Sequence, residues 1–147
     1  MRKGGFPLPA KTATIILSAE PESGPCVDAL ALAEALLSIG MPVNVFLLEE
    51  GVYLALRDLP LRQRAARRQE KAAANASLGD RSEADEFPYN VPQLFERLCD
   101  KGVRFRVSEA CLKEYQFSLD RVDPRVELAS MVDLANWINE SSHVLRF

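Results

Sequence analysis

Apolar positions along the chain fall into short unbroken runs separated by stretches of helical period. Residues 13–19 read ATIILSA, a run rich in β-branched side chains with no polar alternation, which predicts a strand buried on both faces. Gly24 and Pro25 then open a helix over residues 26–39, with Gly40 as its stop. Only Asp28, Glu34 and Ser38 are strongly polar in that helix, so its apolar arc is wider than one sheet face needs. A neighbouring helix or a second subunit would each account for the excess. Residues 42–48, PVNVFLL, form the next strand, and the helix between the two strands makes them a right-handed parallel βαβ unit.

Beyond Glu49, Glu50 and Gly51, residues 52–56 have the pattern of one or two helical turns. The chain from 61 to 76, LRQRAARRQEKAAANA, has high helix propensity but no large apolar stripe, and 80–86 is acidic. The span 58–90 is therefore expected to be an exposed insert. Its first part is basic, which fits a solvated surface element better than a site for an anionic partner.

Pro92 begins another helix, in which Leu94, Phe95, Leu98 and Cys99 recur at helical spacing before Gly102. Residues 103–107, VRFRV, alternate apolar and basic, as a strand with one less buried face does. Ser108 can cap a short helix that runs to about Tyr115, placing Cys111 in its first turn. Residues 125–129 form a short strand. A helix marked by Met131, Leu134, Ala135, Trp137 and Ile138 ends near Glu140, and residues 143–147 form the last strand. Five strands alternating with helices predict an α/β fold, a three-layer α/β/α sandwich on a mostly parallel five-stranded sheet whose strand order stays open.

At 147 residues the chain is expected to form a single domain over 1–147. A net charge of −3 argues against a surface that grips phosphate backbones, so no direct nucleic acid partner is expected. No apolar run is long enough to span a bilayer. Residues 1–11 carry Arg2 and Lys3 followed by Gly4, Gly5, Pro7 and Pro9, and read as a loose arm rather than an export signal. A cytoplasmic location follows as the expectation, with three reduced cysteines and no role for the Asn-x-Ser matches at Asn75 and Asn139. The cysteines lack zinc-ligand pairing, so no metal is expected.

Chemistry in an open parallel sheet gathers beyond the carboxyl ends of the strands. Cys111 and Cys26 both map there, each in the first turn of a helix, whereas Cys99 lies mid-helix among core positions. A thiol near unpaired helix amides is stabilised as the thiolate, which makes Cys111 the candidate reactive group. The commoner fate of a lone cysteine in such a fold is that of a small buried hydrophobe. Arg106 and Lys113 would favour the thiolate and Glu109 and Glu114 oppose it, so the balance is not set by sequence. His143, the single histidine, begins the last strand and reads as an edge residue. No glycine pattern of a phosphate-binding loop occurs, and the pairs Glu49-Glu50 and Asp85-Glu86 read as solvated turn residues. A redox pair of Cys26 with Cys111 would need Cα atoms within about 7 Å.

The order of TIILSAEPESGPCVDALALAEALLSIGMPVNVFLL, EEGVYLAL, LFERLCDKGVRFRVSEACLKEY and VELASMVDLANWINESSHVLRF resembles the DsrE/DsrF-like family, which includes the TusD-type sulfur relay subunits. That resemblance implies a flavodoxin-like fold, assembly into an oligomer, and transfer of sulfane sulfur as a cysteine persulfide between donor and acceptor proteins, without a cofactor. It places the sulfur-bearing role on Cys111; Val107 and Ser108 stand where some members carry a cysteine, and Cys26 has no counterpart in it. Ser108 and Cys26 are the candidate binding residues by their place beside Cys111 at the strand ends. Many relatives carry a basic residue and a glycine after this cysteine where the present chain reads Lys113, Glu114, Tyr115, Gln116. The alternative reading is a non-catalytic oligomeric scaffold subunit of the same fold.

Overall fold

The computed structural model describes residues 11–58 and 90–147, so the greater part of the expected insert lies outside the described residues. Five strands, β1 (Ala13–Leu17), β2 (Val43–Leu47), β3 (Arg104–Ser108), β4 (Val126–Ala129) and β5 (His143–Arg146), form one sheet in the order β4-β3-β2-β1-β5. Every neighbouring pair is parallel. Ile15 stands opposite Val45 on one side and Leu145 on the other, Leu47 opposite Val107, and Ser108 opposite Ala129.

Strand order determines where the helices go. From β1 to β4 the chain steps one way across the sheet, and right-handed connections put the intervening segments on a single face. These are α1 (Gly24–Ser38), a 3-10 segment (Glu49–Ala55), α2 (Val91–Asp100) and the short α3 (Glu109–Glu114). The step from β4 to β5 runs back across three strands, so the same handedness sends α4 (Met131–Glu140) over the opposite face. The three-layer α/β arrangement expected from the sequence is the one observed.

Alternation within the strands feeds both layers. Ile15, Leu17, Val45, Leu47, Phe105 and Val107 belong to the larger core with α1, α2 and the 3-10 segment. Phe46 faces the other way and packs with Ala129, Leu134 and Trp137, its ring centroid 6.1 Å from that of Trp137 and nearly perpendicular to it. In β3 the arginines take the second face, where Arg106 lies 4.4 Å from the Trp137 ring and pairs with Glu127.

The wide apolar arc of α1 is met within the chain. Cys26, Ala29, Leu30 and Ala33 are buried, and α2 packs along α1 with Leu94, Phe95 and Leu98 buried. Glu34 bridges the two helices at 3.0 Å to Arg97 and 3.3 Å to Lys101. Both helices end on a glycine in the left-handed region, Gly40 at φ 86° and Gly102 at φ 88°, where a side chain would be strained. Among the described residues no helix is long and apolar enough to cross a membrane.

Candidate functional site

The site is assembled where β1, β2 and β3 end. At β3, Ser108 caps α3 as its sequence position suggests, its hydroxyl oxygen accepting from the Cys111 N–H at 3.1 Å. Ser108 is buried and Cys111 half-buried, its side chain packed against the larger core. Ser108 thus sits beside Cys111 by engaging its main chain.

The amide that reaches the Cys111 sulfur comes from elsewhere in the chain. Sγ accepts from the main-chain N–H of Glu49 at 3.5 Å, a contact between residues 62 apart in sequence. The turn that presents this amide is tightly built. Leu48 donates its N–H to the Leu17 carbonyl at 3.0 Å, Gly51 donates to the Leu48 carbonyl at 2.8 Å, and Glu49 takes φ 48°, in the left-handed region. Gly51 lies so close to β1 that a Cβ there would stand 2.1 Å from the Leu17 carbonyl oxygen. Only glycine fits without displacing the turn.

Charged and aromatic groups surround this contact. Arg146, at the end of β5, lies 3.8 Å from the Glu49 carboxylate. The Glu50 carboxyl is hydrogen-bonded to Glu20, and that partner, with its charge, holds Glu50 above the usual carboxylate range. Tyr53, Tyr115 and Phe117 form a ring cluster, with centroids 5.7 Å apart for Tyr53 and Tyr115 and 5.2 Å for Tyr53 and Phe117. Desolvation raises the Tyr115 phenol, and the neighbouring Glu50 charge adds to the effect. Gln116 adopts φ 60° after α3, so it takes the left-handed conformation that a glycine would occupy freely.

The basic residues of the β3 segment do not meet at the sulfur. Arg106 is engaged on the other face of the sheet by Trp137 and Glu127, and Lys113 pairs with Glu109 on its own helix at 3.5 Å. Glu49 is the participant that sequence reasoning missed. Its role is carried by the main chain, and its exposed carboxylate gave no sign of it.

The other two thiols lie in different surroundings. Cys26 is fully buried under the Ser23 cap of α1, and burial pushes its thiol up to about 12. Cys99 is half-buried on α2, and burial pushes it up to about 11. All three cysteines are free, so no disulfide joins Cys26 to Cys111. His143 is exposed on the edge strand β5. Among the described residues no three His, Cys, Asp or Glu side chains are grouped to hold a metal ion.

The DsrE/DsrF-like family matches residues 11–147, both flanking layers and the whole sheet included. The chain belongs to this family. It is 29% identical over 144 residues to the uncharacterized protein MK0008 of Methanopyrus kandleri, with 97% of this chain and 99% of that protein covered. Two solved structures share the fold. The YchN protein of E. coli superposes with a TM-score of 0.66 at 22% identity, covering 94% of this chain and 99% of that one. MTH1491 of Methanobacterium thermoautotrophicum, a protein of unknown function, superposes with a TM-score of 0.61 at 14% identity over the same shares.

Proposed function

We propose that the protein is a sulfur carrier that accepts and passes sulfane sulfur as a persulfide on Cys111. The reading is supported above all by one observation: the Cys111 sulfur, half-buried at the carboxyl end of the sheet, accepts a hydrogen bond from the amide of Glu49. A thiolate there attacks the outer sulfur of a donor persulfide. The new S–S bond forms as the donor's S–S bond breaks, and the donor leaves as a thiolate. In the second step an acceptor thiolate takes the terminal sulfur, and the electron pair of the breaking bond returns to Cys111. The cycle has no net oxidation and needs no cofactor.

The donor and acceptor are thiol-bearing proteins on this reading, the protein works as a homo-oligomer in the reducing cytoplasm, and Ser108 keeps Cys111 in place by capping α3. Cys26, buried and held neutral, contributes to the core beside the site rather than to the transfer. The test is incubation with a persulfide donor followed by intact-mass measurement. Wild type is expected to gain one sulfur and Cys111→Ser none; equal gain by both disproves the proposal.

A scaffold role is the second reading, favoured by the apolar side chains that α4 and β5 leave exposed, Met131, Val132, Ile138 and Val144. It requires a stable oligomer, so sedimentation as a monomer at micromolar concentration would count against it.

A further inference from the structure

Glu49 carries a side chain in the left-handed region, at φ 48°, where residues with a Cβ are strained. Such strain persists only when the surroundings over-determine it. Here one carbonyl does much of that: the Leu17 oxygen accepts from Leu48 at 3.0 Å, and Gly51 presses against it so closely that an added Cβ would stand 2.1 Å away. The turn over residues 48–51 is thus bonded to β1 at Leu48 and lies close against it at Gly51. Between them, the Glu49 N–H donates to Cys111 Sγ at 3.5 Å.

We infer that this turn is a thiolate holder, in which the Glu49 main-chain N–H, placed by the Leu48 bond to Leu17 and by the close approach that Gly51 permits, stabilises the Cys111 sulfur whenever it carries negative charge. Glu49 and Gly51 are then positioning residues for Cys111. The purpose of the holder rests on the sulfur-carrier reading, since charge develops on Sγ when the acceptor removes the terminal sulfur. A donor already in place meets that charge without reorganisation. A hydrogen bond to a charged acceptor is about twice as strong as one to a neutral one, so the gain falls on the thiolate. The carboxylate of Glu49, which would oppose a thiolate, is engaged by Arg146 at 3.8 Å.

The test measures alkylation of Cys111 by iodoacetamide across neutral to alkaline pH, read by mass, and needs no sulfur transfer. Two altered chains are compared with wild type: Gly51→Ala, whose methyl must push the turn off β1, and a chain with an ester in place of the Leu48-Glu49 amide, which deletes that N–H and keeps every side chain. In each, the neutral-pH rate relative to the alkaline plateau is expected to fall about tenfold, what one hydrogen bond to a charged group is worth. An unchanged ratio in the ester chain, folded by circular dichroism, overturns the inference whether or not Gly51→Ala folds. Persulfide loading is read separately. A lowered ratio in a protein that takes up no sulfur upholds the holder and defeats the carrier reading; sulfur uptake with an unchanged ratio does the reverse.

Discussion

The amide of Glu49 stands 3.5 Å from the sulfur of Cys111, joining the first turn after β2 to the first turn after β3. The bond comes from outside the helix that carries the sulfur, its donor being the first amide of the 3-10 segment. The N–H of Cys111 is taken by Ser108, whereas its sulfur is served by the turn that follows the neighbouring strand β2. Parallel pairing of Leu47 with Val107 is what brings the two turns side by side.

Burial of Cys26 makes the protein sensitive to alkali. With the folded thiol pushed up to about 12 from an ordinary 9.0, the unfolded chain loses its proton first as pH rises. The stabilising difference is complete below pH 9 and is lost as pH rises from 9 towards 12. Urea unfolding of wild type and Cys26→Ala across that range is expected to show a flatter decline in the variant, together with a loss of about 1 kcal/mol at neutral pH from the smaller side chain.

Trp137 and Leu134 pack α4 onto the sheet, Trp137 resting edge-on against Phe46 with Arg106 at its face. Trp137→Ala is expected to lose about 3 kcal/mol or more in urea unfolding followed by circular dichroism, and Trp137→Phe distinctly less, since a ring against Phe46 is kept. As the only tryptophan, Trp137 also reports by fluorescence on whether α4 leaves the sheet before the rest unfolds.

Asp123 is buried and meets Arg125 at 2.7 Å, and Arg125 reaches on to Glu96 at 2.6 Å. Arg125→Met leaves that buried carboxylate short of partners, for an expected loss of roughly 1–3 kcal/mol in urea unfolding. Adding Asp123→Asn is expected to recover part of the loss, the sign of direct coupling. Asp123 also donates its N–H to the Ala55 carbonyl at 2.7 Å, so in Arg125→Met the 3-10 segment loosens and hydrogen exchange at Ala55 and Leu56 rises.

What the sequence revealed divides along physical lines. β1 and β2 were legible because strands buried on both faces need unbroken apolar runs, and α2 and α4 because their apolar residues recur at helical spacing. The alternation in residues 103–107 was read as a strand with one less buried face, and the structure explains the arginines by Trp137 and Glu127 waiting on that side. Strand order was not legible, since right-handed crossovers permit several orders. At the site, Ser108 and the position of Cys111 were legible as a cap and a first turn. Cys26 was expected at the same mouth, yet Cys26, Ala29, Leu30 and Ala33 share the spacing of a buried stripe, and that signal pointed inwards. Glu49 could not be found because its contribution is an amide, which every residue but proline possesses.

Putting β5 beside β1 has a cost during synthesis. Thr12 and Ser142, which hydrogen-bond at 3.1 Å, are separated by 130 positions, so one flank of β1 keeps its peptide groups unmatched while nearly all of the chain is being made. Until residues 143–146 arrive, that flank is an open template for strands of other molecules, and a ribosome stalled short of them would release a species prone to stick to its own kind.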